Sequence, residues 1–273
     1  VLEEQSNQVA MMVTRELETQ AGVQPLGASL GARAVSGLMS YHDKINGGFG
    51  GAPKFPQPVY LELMIAGGWD RPEVQQAVRK TLDAMAIGGI YDHVGGGFHR
   101  YAVDADWTVP HFEKMLYDNA QLTATFLDAY QLTKEETSAR VAREVLDYVA
   151  REMTEAGGAF FSATDADSPT PSGHSEEGYF FTWTPAEIEA LVGAEGLALF
   201  KATYAVTSRG NFEGRNIFHT PVSYAQVAAR QGLTEKALFA KLAPLRKTLY
   251  DARAKRPPPI LDDKLLPSWN GLL

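Results

Sequence analysis

A repeating unit constrains this chain more than any single residue does: runs of apolar residues at helical spacing, separated by connectors that carry Gly-Gly-Phe. The connector occurs as Gly47-Gly48-Phe49, as Gly96-Gly97-Phe98 and, more loosely, as Gly157-Gly158-Ala159-Phe160, at separations of about fifty to sixty residues. A unit of that length holds one αα-hairpin and its loop. Such a hairpin cannot bury its own apolar face. Side-by-side stacking in a ring or an arc is the solution, and it gathers the successive loops at one end. The expected class is therefore all-α, with long loops and short β-hairpin pieces.

The helices follow from periodicity and punctuation. Val9, Met12, Val13 and Leu17 recur at helical intervals in a first segment that Gly22 ends, and Leu30, Ala34, Gly37, Leu38 and Tyr41 share one face of a second. A third helix is expected from Val59 to Ala66. A fourth opens with Pro72 in its first turn and carries Val74, Val78, Leu82 and Met85 inward. Another is expected over about Lys134 to Met153, and Thr184-Pro-Ala-Glu187 reads as a capping box opening a helix to Leu191. Further helices fit Glu195 to Tyr204, Tyr224 to Arg230 and Thr234 to Ala254, and the tail starts one near Pro267. Phe160-Phe161 and Tyr179 to Trp183 read as the arms of a short hairpin.

The chemistry concentrates between Gly88 and Asn119, which holds three of the six histidines with Asp92, Asp104, Asp106, Glu113 and Asp118. Its Gly-rich left half suits an irregular loop. Its right half reads as a helix with Thr108 as N-cap, Pro110 in the first turn and His111 beside it, so that Glu113 and Tyr117, four apart, share a face. Acids, imidazoles and aromatics converging on a helix start can hold a small polar ligand. They can equally satisfy the backbone of a long loop without any chemistry.

Composition narrows the classes. The 273 residues are 45% hydrophobic and 21% charged, ordinary for a globular chain able to bury a substantial core. A net charge of −8 with no basic stripe argues against nucleic acid. No apolar run reaches bilayer length, and no export signal or Asn-x-Ser/Thr sequon is present, which fits the cytoplasm. The absence of cysteine excludes disulfides, thiolate nucleophiles and zinc-thiolate sites from this chain. Walker, GxGxxG, GxSxG and HExxH patterns are absent, and no cofactor is expected.

Three loops carry candidate site residues. In the Phe49 to Pro56 loop only Lys54 is charged, so it reads as backbone shaping. In the second, His99 and Arg100 can hold oxygens, Asp104 and Asp106 can bond hydroxyls, and His111 or Glu113 can move a proton. The third offers Asp165, Asp167, Glu176 and Glu177. Its Asp-Ala-Asp-Ser lacks the remaining EF-hand positions, so no metal is assigned. Paired carboxylates suit acid and base work on sugars, with Trp107, Tyr117 and Trp183 as stacking surfaces. Asp262-Asp263-Lys264 before Trp269 completes the set as an ion pair near a helix start.

The segments GGFGGAPKFP, GGIYDHVGGGFHRYAVDADWTVPHFEKMLYDNAQL, FFSATDADS, EEGYFFTW, GNFEGRNI and DDKLLPSWNGL, in this order, resemble the spermatogenesis-associated, thioredoxin-like protein family. The resemblance implies a six-hairpin (α/α) toroid related to N-acylglucosamine 2-epimerases and several glycoside hydrolases. It implies further that residues 1–273 form an incomplete toroid, without the family's thioredoxin-like domain and later hairpins. An open toroid edge leaves apolar faces for self-association.

The function these readings favour is a carbohydrate-active or carbohydrate-binding toroid. Asp104, His111, Glu113, Asp165, Asp167 and Glu177 would be its acid/base residues. His99, Arg100, Asp106, Trp107, Tyr117, Asp118, Trp183, Asp263 and Trp269 would be ligand contacts. An enzyme of this kind would be epimerase-like, isomerase-like or glycoside-hydrolase-like. The competing reading is a non-catalytic scaffold that presents a redox domain to partners.

Overall fold

The computed structural model describes residues 2–18, 27 and 29–273. Ten helices lie among them: α1 (Leu2–Glu18), α2 (Ser29–Tyr41), α3 (Pro58–Gly68), α4 (Pro72–Ile87), α5 (Leu116–Thr133), α6 (Glu136–Glu152), α7 (Pro185–Tyr204), α8 (Tyr224–Arg230), α9 (Glu235–Arg253) and α10 (Pro267–Asn270). The two hairpins α3/α4 and α5/α6 stand side by side, with α3 against α5 and α4 against α6. α9 continues the arc, since its Arg246 bonds Glu144 of α6 at 2.9 Å and its Tyr250 accepts from Arg151 of α6 at 2.7 Å. Two layers of helices in an arc make the fold all-α, the geometry of (α/α) toroids.

Local sequence explains most of the helices. α4 has Pro at its start, Glu73 in its first turn, and Val74, Ala77, Val78, Thr81, Leu82, Met85 and Ala86 buried along one stripe. Burying each large side chain contributes roughly 1.5–3 kcal/mol, and these belong to a core shared with Val35, Leu61, Met64, Phe98, Trp107 and Phe126. α7 starts at a complete capping box between Thr184 and Glu187 and kinks at Gly193, whose φ of 72° separates the two helices that the sequence predicts. A second core joins α7, α8 and α9 around Phe200, Tyr204, Leu238 and Leu242.

Several expectations need correction. The stretch from Thr108 to Met115 is not helical: β1 (Tyr101–Ala102) pairs antiparallel with β2 (Pro110–His111), β3 (Lys114–Met115) follows, and α5 begins only at Leu116. The reason is local. Asp104 accepts the N–H groups of Thr108 and Val109 at 3.1 and 2.6 Å, holding the backbone extended where a helix would begin. Phe160-Phe161 and Tyr179 to Trp183 do not form a hairpin. Instead β4 (Ala163–Thr164) lies between β3 and β7 (Leu261–Asp262), and β5 (Asp167–Pro169) pairs with β6 (Ser175–Glu177). On α2 the buried residue is Val35, while Leu30 and Tyr41 are exposed, as are Val9, Met12 and Val13 of α1. The expected stop at Gly22 lies outside the described residues.

Candidate functional site

The connectors after α2, α4, α6 and α9 do meet. Lys54 bridges to Ala102, Trp107 Nε1 donates to Asn46 O at 3.1 Å, and β3, β4 and β7 bring the Lys114, Thr164 and Leu261 segments into one small sheet. Asn270 fastens the tail to the same rim by donating to Phe160 O at 3.0 Å and accepting from its N–H at 2.7 Å.

On this rim a run of polar contacts joins the connector after α4 to the connector after α6. His111 Nδ1 lies 2.7 Å from Glu177 Oε1, and its Nε2 lies 3.1 Å from Glu113 Oε2. Glu113 also accepts from Arg100 Nη1 at 2.8 Å. Tyr117 packs edge-on against Trp269, with ring centroids 4.8 Å apart. The Tyr101 ring stacks on His111 at 5.0 Å. Glu113 and Tyr117 do not share a helix face, because Glu113 precedes β3 and only Tyr117 lies on α5.

Asp118 is the group most altered by this setting. Burial pushes its carboxyl up to about 7, against the opposing pull of Arg100 and Tyr117, and its Oδ2 has no hydrogen-bond partner. A carboxyl poised there exchanges protons readily at neutral pH. His111, with 26% of its side chain exposed, is held by a carboxylate on each ring nitrogen. Among the described residues, no group of three or more His, Cys, Asp or Glu side chains is arranged to hold a metal ion.

Other sequence candidates sit elsewhere or do other work. Asp104 is spent on the backbone of its own turn, where burial raises its carboxyl and the N–H groups of Val109 and Thr108 oppose the rise. Asp106 is exposed and lines a separate cavity of about 680 Å³ with Lys80, Asp83 and His219. His99 is buried, its Nδ1 3.0 Å from Phe112 O, and burial pushes its imidazole down to about 3. Trp107 and Trp183 offer no stacking surface: both are fully buried, Trp183 beneath the Arg256 guanidinium at 3.9 Å. Asp165 accepts the N–H groups of Ala166 and Asp167, at 2.7 and 3.3 Å. Asp167 is exposed and stands opposite Glu177 in the strand register, Glu176 is exposed beside it, and Asp263 is exposed on the tail. Lys54 is buried and bonds Asp43 at 2.6 Å.

Sequence reasoning missed one set altogether. Asp92, Lys114 and Arg253 form a buried ion cluster, with Asp92 accepting from Lys114 Nζ at 2.8 Å and from Arg253 Nη1 at 2.9 Å. Burial opposes the Asp92 charge, but Arg253 and Lys114 outweigh it and hold the carboxyl well below the usual range. The partners lie 22 and 161 positions from Asp92, so no local pattern announces them.

An arc of αα-hairpins whose connectors build a polar rim defines a protein of the (α/α) toroid class. No family model matches the chain. Human spermatogenesis-associated protein 20 is 38% identical over 300 residues, covering 99% of this chain, and the mouse protein of that name is 38% identical over 301. An uncharacterized Caenorhabditis elegans protein is 35% identical over 260 residues, covering 85% of this chain. The chain belongs to the family of spermatogenesis-associated protein 20, and it spans 38% of the length of the human relative. Among solved structures, a cellobiose 2-epimerase from Spirochaeta thermophila is 16% identical, with a TM-score of 0.43 over 89% of this chain and 77% of that one. A sugar epimerase from a ruminal bacterium is 15% identical, with a TM-score of 0.41 over 48% of this chain and 37% of that one.

Proposed function

We propose that the rim is an acid/base centre acting on a small polyhydroxylated, sugar-like ligand. The observation that carries this reading is the Asp118 carboxyl, with a free Oδ2 and a proton affinity near neutrality under the influence of Arg100, whose partner Glu113 also meets His111. Asp118 and His111 would take and return protons. Arg100 would hold a ligand oxygen, Glu113 and Glu177 would orient the imidazole, and Trp269 would pack on the sugar face. Two exchangeable groups on one rim suit removal and return of a proton beside a carbonyl, or protonation of a departing oxygen. The test is titration calorimetry with a panel of mono- and disaccharides, together with deuterium uptake at sugar carbons in heavy water. Binding and uptake that fall in Asp118→Asn and His111→Asn are expected. A wild-type chain that neither binds a sugar nor labels one rejects the reading.

The scaffold reading draws on a different observation: Asp104, His99, Lys54 and Asp92 are struts, each spent on backbone or on a buried ion pair. It expects Asp118→Asn and His111→Asn to leave a partner complex intact and to have no sugar phenotype.

A further inference from the structure

Away from His111 and Asp118, the rim encloses a cavity of about 270 Å³, walled by Lys114, Tyr148, Glu152, Thr164, Phe180, Phe181 and Leu261. That volume is just below the usual range for drug-sized ligands and suits a small one. Its charge is unbalanced. Asp92 carries one negative charge between two buried cations, Lys114 and Arg253, and the Glu152 carboxylate in the wall is paired with a third cation, Arg151, at 2.7 Å, which leaves the group with one positive charge in excess. An uncompensated buried charge is costly. Lys114 spends two of its three N–H groups, on Asp92 at 2.8 Å and Gly96 O at 2.7 Å.

The wall also holds an unused hydroxyl. Tyr148 is 1% exposed, and its hydroxyl has no partner beyond the neighbouring Thr164 hydroxyl, which is equally without another. Lys114 Nζ lies 4.3 Å from the Tyr148 ring centroid and 5.1 Å from that of Phe181, so the cation, the hydroxyl and the aromatic surface adjoin one another. Phe180, Phe181 and Leu261 provide an apolar lining for the rest of a ligand.

We infer that this cavity binds a small monocarboxylate with an apolar body, its carboxylate offsetting the surplus charge of Lys114 and Arg253 and accepting from the Tyr148 hydroxyl. The site is separate from the proposed acid/base centre and stands or falls without it.

The experiment is calorimetric titration of the chain with sodium benzoate, benzamide and inorganic phosphate. Benzoate is expected to bind at least about tenfold more tightly than benzamide, because hydrogen bonds to charged groups are the stronger kind. Phosphate, lacking an apolar body, is expected not to compete. Tyr148→Phe removes only the hydroxyl and is expected to weaken benzoate by roughly tenfold. Leu261→Trp, at a position 38% exposed, fills the cavity from its open side and is expected to abolish binding. Equal affinity for benzoate and benzamide, displacement by phosphate, an unchanged Tyr148→Phe, or no benzoate binding to the wild-type chain would each overturn the inference. The benzoate and benzamide comparison needs no variant, so a misfolded mutant cannot obscure it.

Discussion

His111 Nδ1 and Glu177 Oε1 lie 2.7 Å apart although 66 positions separate them in the chain. The pair joins the loop after α4 to the β5/β6 hairpin, and it is partly exposed, with Glu177 at 40%. A polar contact that open contributes about 0–1 kcal/mol. Glu177→Gln is therefore expected to shift the melting temperature by no more than about 4 °C while weakening any ligand that needs the oriented imidazole. Thermal melts and calorimetry on one preparation check both halves.

Asp118 sets a pH dependence whose sign follows from burial. Its carboxyl sits at about 7 in the folded chain against an ordinary 3.8, so between these values the folded state holds a proton that the unfolded state has lost. Stability attributable to this group falls as pH rises from about 4 to 7 and is level above. By linkage the full cost is roughly 4 kcal/mol, and Asp118→Asn removes it. Urea unfolding at pH 5 and pH 8 should show the variant gaining on the wild type at the higher pH.

Asp92 behaves oppositely. Its carboxyl is held well below the ordinary value, so its contribution is present above about 4 and is lost as pH falls through the lowered value. Asp92→Ala leaves Lys114 and Arg253 buried without their counter-charge and is expected to cost about 3–5 kcal/mol at neutral pH. Equilibrium unfolding measures the loss.

Asp104 is a strut. Asp104→Ala strands the N–H groups of Thr108 and Val109 and is expected to destabilise by about 1–3 kcal/mol, with sugar affinity unchanged in the molecules that remain folded. Loss of affinity at full stability would return Asp104 to the acid/base set.

Gly178 joins backbone to site. Its φ is +71°, and an added Cβ would fall 2.3 Å from the Phe112 ring, next to His111. Gly178→Ala is expected to cost about 1–3 kcal/mol and to weaken ligand binding by displacing His111. Proton spectra of the histidine ring, recorded for both chains, report the displacement.

How much of this was legible beforehand depends on the range of the forces involved. α4 and α6 were readable because their buried residues recur every three or four positions, and the start of α7 because Thr184 and Glu187 cap it within one turn. β2 and β3 are two residues each and owe their shape to Asp104 and to pairing with β1 and β4, so a local reading took Thr108 and Pro110 for a helix start. Arg100, His111, Glu113, Tyr117, Asp118, Glu177 and Trp269 were recognisable as chemistry-bearing and lie together on the rim. Burial was not readable: Trp107, Trp183 and His99 have the composition of a site and the exposure of a core.

The three-stranded patch on the rim has a kinetic corollary. Ser162 finds Asp262 a hundred positions downstream, and Phe160 finds Asn270 at 110. Pairings that distant form slowly, because loop closure must precede any reward for it. Helices α3 to α6 can therefore pack during translation well before β7 emerges to sew shut the mouth they support.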